Sequence, residues 1–179
     1  MGTQPDFLVG LVKSLGDVDF DSVYRTELPR IYNFFRYRVG DDQIAEDLTA
    51  ETFEKAWKYR ARYRKDLASF STWLFSIARR IAADHFRRQR PSLPLEAAAQ
   101  LADPQILEER AQAQAEFAQL SKLLARLAER ERELVALKYG AGLTNRAIAR
   151  LSGLTESNIG TILHRLTQQL RAQLENTHE

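Results

Sequence analysis

The stretch that decides the fold is residues 143–166, which read LTNRAIARLSGLTESNIGTILHRL. Thr144 and Thr155 each precede a run with helical spacing, where a hydroxyl side chain can accept a hydrogen bond from the unpaired backbone N–H groups of the first turn. Between the two runs, Gly153 is suited to a tight turn and Leu154 can fill the gap between the helices. The stretch therefore predicts a helix-turn-helix.

The second helix of this motif has two contrasting faces. At about 100° per residue, one face is apolar and predicted to be buried; it comprises Ile159, Ile162, Leu163, Leu166 and Leu170. The opposite face carries polar side chains of the kind that read base edges in a DNA groove; it comprises Ser157, Asn158, Thr161, His164 and Arg165. The alternative is an αα-hairpin that only packs within a bundle, and such a hairpin does not require caps, glycine turn and polar face to coincide.

Helical spacing recurs along the rest of the 179-residue chain, so the sequence predicts an all-α protein. No glycine lies between Asp41 and Tyr139, and no alternating run of β-branched residues resembles a strand. Three of the five prolines fall within residues 91–104, which indicates a linker between two small helical domains. The predicted organisation is a tail over 1–19, a helical domain over 20–91, a linker over 92–112 and a helix-turn-helix domain over 113–179.

The first domain is predicted to contain three helices. The first covers about 21–39, with Gly40 as its stop, and Pro29 is expected to break or restart it. The second begins near Asp42. The third begins after Ser71, which is the expected N-cap.

Composition excludes several classes of function. The chain has no cysteine, which excludes disulfides, thiolate metal sites and cysteine nucleophiles, and its three histidines are far apart in sequence. We therefore expect no metal, cofactor or catalytic residue. The N-terminal residues lack the basic start and unbroken apolar core of a signal peptide, and no segment has the length and apolarity of a membrane span, so the prediction is a cytoplasmic protein without membrane insertion.

Charges are sorted by sign over residues 46–66, EDLTAETFEKAWKYRARYRKD, although the whole chain has a net charge of only +2. In the acidic half, Asp47, Glu51 and Glu54 would lie within about 60° of one another on a helix, where like charges repel. A basic partner would explain such a face. An ordinary solvated face near a helix N-terminus is an equally good explanation from these residues alone.

The basic half of the stretch interleaves cations with Trp57, Tyr59 and Tyr63. Single-stranded nucleic acid needs this combination, because cations follow the phosphates and aromatic rings stack on unpaired bases. On the next helix, Arg79, Arg80, Ala83 and Arg87 are expected to share an outer face, which favours phosphate contact. Exposed ion pairs, at about 0 to 1 kcal/mol each, would not account for the segregation.

Three blocks now form a recognisable pattern: AEDLTAETFEKAW (45–57), STWLFSIARRIAADHFRRQR (71–90) and RERELVALKYGAGLTNRAIARLSGLTESNIGTILHRL (130–166). In order and spacing they resemble the two conserved domains of the extracytoplasmic-function class of bacterial sigma factors, over roughly residues 20–174. The resemblance implies a subunit that joins core RNA polymerase, recognises the minus-ten and minus-thirty-five promoter elements and helps to open the duplex. It also implies an anti-sigma factor as a partner, and no enzymatic activity.

The resemblance implies a role for three groups of residues. Those that would dock on the polymerase are Asp47, Glu51 and Glu54. Those that would melt and read the minus-ten element, including its melted non-template strand, are Lys58, Tyr59, Arg60, Arg62, Tyr63, Arg64, Arg79, Arg80, Asp84, Arg87 and Arg88. Those that would read the duplex minus-thirty-five element are Thr155, Ser157, Asn158, Thr161, His164 and Arg165.

The chain departs from the family pattern at a few positions. Ala50 stands where glutamine is common, Arg80 where asparagine is common and Ala147 where glutamate is usual. Gly160 and Ile162 stand where lysine and arginine are frequent, so we expect weaker phosphate anchoring by the recognition helix.

Two other functions fit parts of the pattern. A two-domain helix-turn-helix regulator acting without polymerase would bind duplex operator DNA, but the basic and aromatic run of the first domain argues against it. An enzyme that used the carboxylates Asp47, Glu51 and Glu54 would need a pocket or a metal, and no histidine is near them in sequence.

Overall fold

The structure, a computed structural model, describes residues 20–88 and 104–175. Within these ranges every regular element is helical, which confirms the predicted all-α class. The described residues contain seven α-helices: α1 Phe20–Val39, α2 Asp42–Lys58, α3 Phe70–Arg88, α4 Pro104–Ala125, α5 Glu129–Val135, α6 Asn145–Ser152 and α7 Glu156–Glu175. A short 3-10 helix, Arg60–Arg62, follows α2, and a π-helical turn, Ala136–Gly140, follows α5. We refer to α1–α3 as the N-terminal unit and to α4–α7 as the C-terminal unit.

The turn between α1 and α2 is specified by two adjacent residues. Gly40 ends α1 in the left-handed conformation (φ 73°), and its amide donates to the Arg36 carbonyl at 2.9 Å. Asp41 then caps α2, because its carboxylate accepts a hydrogen bond of 2.8 Å from the amide of Ile44. The second helix therefore begins where the sequence predicts.

Two predictions about helix limits in the N-terminal unit are wrong. Pro29 does not interrupt α1; it lies on the exposed side of a continuous helix, where water can serve the carbonyl that loses its amide partner. The N-cap of α3 is Ser69 rather than Ser71, since the Ser69 hydroxyl accepts from the Thr72 amide at 3.2 Å. Ser71 lies inside the first turn and instead donates to the Glu27 carboxylate at 3.2 Å.

The helix-turn-helix forms as predicted. The Thr144 hydroxyl accepts from the Ala147 amide and the Thr155 hydroxyl from the Asn158 amide, both at 3.2 Å. Gly153 makes the turn with φ 72°. One position of the predicted buried face differs from expectation, since Ile162 is only half-buried. Tyr139, before the helix-turn-helix, is 51% exposed, with its hydroxyl 2.9 Å from that of Thr167.

A single apolar core runs through both units. In the N-terminal unit, α1 supplies Ile31, Phe34 and Phe35, which are fully buried among the apolar faces of α2 and α3. The C-terminal unit contributes its own fully buried side chains to the same core; they are Leu124, Leu134, Leu137, Ile148, Ile159 and Leu166. Continuity of the core means that the two units pack against each other.

The π-helical turn lies directly on α1. A Cβ atom added at Gly140 would come within 2.8 Å of the Asn33 carbonyl oxygen and 3.2 Å of the Tyr37 ring, so only glycine allows the observed approach. Nearby, the Tyr37 and Phe117 rings lie 5.5 Å apart between centroids, which joins α1 to α4. This close contact fixes how the units sit relative to each other.

Most of the predicted linker lies outside the described residues. The structure ends the N-terminal unit at Arg88 and resumes at Pro104, where α4 begins, so the first turns of α4 fall within the range 92–112. None of the helices in the described ranges has the length and apolarity needed to cross a membrane.

Replacing Gly140 with alanine should lower the free energy of unfolding by about 1–3 kcal/mol, because the added methyl group meets backbone rather than a movable side chain. The matched control is Gly160→Ala within α7, where the nearest atom would be 3.6 Å away. There the removal of a helical glycine should instead stabilise by about 0.5–1 kcal/mol. Urea denaturation of both variants measures the difference, and equal effects would contradict the proposed packing.

Candidate nucleic-acid interface

The acidic residues of α2 lie opposite its buried face. The buried face comprises Ala45, Leu48, Thr52 and Ala56. Of the three predicted docking acids, Asp47 and Glu54 are exposed and Glu51 is half-buried. The Glu51 carboxylate is 2.7 Å from the Lys55 ammonium. α2 thus presents an acidic outer surface in which Glu51 already has a cation of its own.

Histidine 85 lies behind this surface, on α3. Burial lowers the pKa of His85, and the negative charge of Glu51 opposes that shift in part. Burial and the nearby positive charge of Arg88 thus disfavour the charged form of His85 at the junction of α2 and α3.

The segment after α2 pairs its cations with its own aromatic rings. The guanidinium of Arg60 lies 3.7 Å from the centre of the Trp57 ring and donates to the Trp57 carbonyl at 2.9 Å. Lys58 and Arg62 both approach the Tyr59 ring, at 5.7 and 4.9 Å from its centre. Such contacts place positive charge beside aromatic rings. Surfaces that bind single-stranded nucleic acid combine these two features, because cations contact the phosphates and rings stack on unpaired bases.

Tyr63 is placed differently from Tyr59. Its ring contacts Phe70 and Trp73, with centroids 5.5 and 5.3 Å away, and burial raises the pKa of the Tyr63 phenol. Phe70 and Trp73 are themselves 5.5 Å apart, so the three rings form a cluster at the start of α3. Tyr63 therefore anchors the loop between α2 and α3.

The loop beyond Tyr63 is more exposed. Arg64 and Asp66 form an ion pair of 2.6 Å, and this hydrogen bond raises the pKa of Arg64 and lowers that of Asp66. Next to them, the Leu67 side chain is 74% exposed. Leu67 was not predicted from the sequence, where its one signal is a large apolar residue between charged and small polar ones.

The cations of α3 divide into two groups. Arg80, Arg87 and Arg88 are exposed, and Arg87 pairs with Asp84 at 2.8 Å. Arg79 does not share their outer face as expected, since it points towards the C-terminal unit. Its Nε and Nη2 atoms donate to the two carboxylate oxygens of Glu133 at 2.9 and 3.1 Å, and its Nη1 donates to the Leu151 carbonyl.

Arg38 is a second interface cation, and the sequence analysis missed it. Its side chain is only 2% exposed; it donates to the Glu129 carbonyl at 2.8 Å and lies 4.8 Å from the centre of the Phe86 ring. Burial lowers the pKa of Arg38, while the charges of Glu133 and Glu129 oppose the shift. No local pattern marks this residue, because the carbonyl to which it donates lies 91 positions away in the sequence.

A cavity of about 760 Å³ lies between the units on this side. α3 and the loop before it form one wall, with Thr72, Ser76, Arg79 and Arg80 among the lining residues. The opposite wall belongs to the C-terminal unit; it includes Glu129, Arg130, Glu133, Arg150 and Leu151. Part of the predicted DNA-facing surface of α3 therefore faces the other unit.

The second helix of the helix-turn-helix, α7, exposes every polar residue that the sequence places on its outer face; these are Ser157, Asn158, Thr161, His164 and Arg165. Arg165 pairs with Glu131 of α5, and Arg146 of α6 pairs with Glu156 at 2.9 Å. The residues predicted to dock on the polymerase and to read the minus-ten element thus lie on the N-terminal unit, and those predicted to read the minus-thirty-five element lie on the C-terminal unit or at its Thr155 cap. Among the described residues no group of histidines and carboxylates could hold a metal ion.

Comparison with known families gives two matches. Residues 23–92 match the family described as Sigma-70 region 2, and residues 117–170 match the one described as Sigma-70, region 4. Together they account for most of α1–α3 and α4–α7.

Two sigma factors are similar to this chain over most of its length. The ECF RNA polymerase sigma factor BldN of Streptomyces coelicolor is 31% identical over 161 residues, covering 87% of this chain and 60% of that protein. The ECF RNA polymerase sigma factor SigM of Bacillus subtilis is 25% identical over 159 residues, covering 85% and 93%. The chain thus spans less than two thirds of the first relative and nearly all of the second.

A solved structure has the same fold. The sigma factor RpoE of Bartonella quintana, in complex with the anti-sigma factor NepR, superposes with a TM-score of 0.64 at 21% identity. The match covers 88% of this chain and 97% of that one.

Replacing Tyr63 with alanine should lower the free energy of unfolding by about 1–2 kcal/mol, because it removes two aromatic contacts. Tyr59→Ala removes a ring whose contacts are with flexible cations, so we expect a change below about 0.5 kcal/mol. Urea denaturation followed by circular dichroism compares the two variants. A larger loss for the Tyr59 variant would contradict the assigned difference between these rings.

Proposed function

The chain belongs to the extracytoplasmic-function group of the sigma-70 family, and we propose that it joins core RNA polymerase and directs it to promoters. The observation that carries the proposal is the pairing, in one chain, of an acidic helix and a basic aromatic segment with a capped helix-turn-helix. Each of these surfaces fits one partner of transcription initiation.

The acidic outer surface of α2 is the proposed polymerase contact. Asp47 and Glu54 are exposed, so a basic partner surface can approach both carboxylates. Complementary charges of this kind speed encounter and select the partner. Glu51 joins them, although it must exchange Lys55 for a cation of the polymerase.

The segment from Lys58 to Arg64, with the exposed arginines of α3, is the proposed minus-ten surface. Capture of a melted strand requires no bond to be made or broken, only stacking surfaces and cations that offset the cost of unstacking, a few kcal/mol per base. Tyr59 fits direct stacking because two cations lie near its ring and could contact the phosphates of a stacked strand. Tyr63 fits the positioning of the loop.

The outer face of α7 is the proposed minus-thirty-five reader. Its N-terminal residues Ser157, Asn158 and Thr161 can donate and accept hydrogen bonds at base edges in a major groove. His164 and Arg165 follow one turn later, where phosphate contact is expected. The opposite face of α7 is packed in the apolar core, and this packing fixes the orientation of the helix.

The remaining expectations follow from the family. We propose that the protein works in the cytoplasm with the polymerase and without catalysis of its own. An anti-sigma factor is a proposed partner, supported by the complex of a related fold with the anti-sigma factor NepR.

Reversing Asp47 or Glu54 to lysine should weaken binding to core polymerase by about 100-fold or more, because like charges then face each other across the interface. Both side chains are exposed, so circular dichroism and melting temperature should stay unchanged. Glu175→Lys, the same charge change at the exposed end of α7, is the control and should bind normally. Undiminished co-purification of the Asp47 and Glu54 variants would exclude the docking assignment.

Replacing Arg165 with alanine should weaken binding of the holoenzyme to promoter DNA and reduce the slope of log affinity against log salt by about 1. The physical reason is the loss of a single phosphate contact. Glu131→Gln is the complementary variant, since it removes the acid that pairs with Arg165 and should leave the slope at least as steep. A slope unchanged in Arg165→Ala would place this residue away from the DNA.

A further inference from the structure

We propose that the cavity between the two units is a binding site for a nucleotide that carries several phosphates, such as a nucleoside triphosphate. The cavity includes Arg79 and Arg80 of the predicted minus-ten set, but Arg130 and Arg150, on its other wall, belong to none of the predicted sets. The site therefore goes beyond the proposed function and does not depend on it.

The lining of the cavity carries more positive than negative charge. Its arginines are Arg38, Arg79, Arg80, Arg130 and Arg150, and its acids are Glu129 and Glu133. Each acid already has a cation, since Glu133 pairs with Arg79 at 2.9 Å and Glu129 with Arg38 at 3.5 Å. Five arginines against two glutamates leave an excess of three positive charges.

The other three arginines come from three separate helices. Arg80 lies on α3, Arg130 on α5 and Arg150 on α6; all three are exposed, and none forms an ion pair within the described residues. Like charges around one cavity repel each other, and an anion bound between them removes that cost. Guanidinium groups suit phosphate in particular, because their planar donors can bind two phosphate oxygens at once.

A buried donor in the same lining lacks an acceptor. The Nη1 atom of Arg38 donates to the Glu129 carbonyl at 2.8 Å, but its Nε–H has no hydrogen-bond partner among the described residues. Buried donors in proteins are nearly always satisfied, so an unpaired one needs an explanation. An anion bound in the cavity would provide oxygen acceptors close to this arginine.

The α3 wall adds groups that suit a nucleobase. The half-buried Trp73 lines the cavity together with the hydroxyl side chains of Thr72 and Ser76. An indole ring offers a surface on which a base can stack, and hydroxyl groups can donate or accept hydrogen bonds at its edge. An aromatic ring beside arginines favours a nucleotide over a simple inorganic anion.

The size of the cavity fits a ligand of this class. Its volume of about 760 Å³ falls within the range of about 300–1,000 Å³ that is usual for small-molecule sites. A triphosphate group carries several negative charges, which match the excess of positive charge in the lining. A nucleotide in the cavity would contact α3 through its base and α5 and α6 through its phosphates.

The test measures binding of ATP, GTP and inorganic tripolyphosphate to the free full-length protein by isothermal titration calorimetry. A salt concentration of about 150 mM screens weak attraction between exposed charges. At least one nucleotide should bind about tenfold or more tightly than tripolyphosphate, because only a nucleotide gains the contact with Trp73. Equal affinity of tripolyphosphate and both nucleotides, or no saturable binding of any of the three, would overturn the proposal.

The double variant Arg130→Gln, Arg150→Gln should bind the nucleotide at least about tenfold more weakly, because it loses two charge-assisted contacts to phosphate. The matched control is Arg126→Gln, Arg171→Gln. It makes the same charge change at two exposed arginines of the C-terminal unit that lie outside the cavity, and it should stay within about twofold. Equal losses in the two double variants would mean general attraction of anions and would contradict a defined site.

Fluorescence tests the position of the base. The chain has two tryptophans, so in the variant Trp57→Phe the signal comes from Trp73 alone. The nucleotide that binds should quench this signal, with a concentration dependence that gives the dissociation constant found by calorimetry. Adding Arg130→Gln and Arg150→Gln should shift the quenching to higher concentration. Saturating nucleotide without quenching would show that the base is not at Trp73 and would overturn the assignment.

Discussion

The two units are held together by arginines that donate to backbone carbonyls near the ends of helices. The last carbonyls of a helix have no amide partner within it, and they carry partial negative charge. Arg79 reaches the Leu151 carbonyl in the last turn of α6, and Arg30 reaches that of Ala141 beyond the π-helical turn. Arg132 donates across the interface to the Arg38 carbonyl near the end of α1, and within its own unit to the Ala125 carbonyl at the end of α4. One side-chain type thus satisfies several helix termini across the interface.

Helix α1 packs against both units. Its apolar side fills the core of the N-terminal unit through Ile31, Phe34 and Phe35, and its other side receives the π-helical turn at Gly140. A helix shared in this way cannot shift for one unit without disturbing the other, because protein interiors are closely packed. Buried Arg38, near its C-terminus, adds a charge that requires its partners in the C-terminal unit.

Local signals made the helices and the helix-turn-helix predictable from the sequence, because the responsible contacts span only a few residues. Thr144, Gly153 and Thr155 act on the adjacent turn, so their roles follow from position alone. Pro29 shows the limit of such reasoning, because it was expected to interrupt α1 and does not. The backbone hydrogen bond that proline cannot make is tolerated on the exposed side of the helix, and which side is exposed depends on the fold. The partner of Arg79, fifty-four positions away, was beyond any periodicity argument.

Several arginines of the predicted DNA surfaces form ion pairs within the chain. The near balance of 26 basic and 24 acidic residues suggests weak electrostatics, yet cations on the predicted DNA surfaces, such as Arg79, Arg87 and Arg165, already pair with acids of the same chain. Binding DNA then exchanges a carboxylate for a phosphate, so affinity depends on the difference between two ion pairs. Salt weakens both pairs, and least the partly buried one at Arg79. The acids that pair with these arginines, on both units, should therefore weaken DNA binding by the predicted basic surfaces.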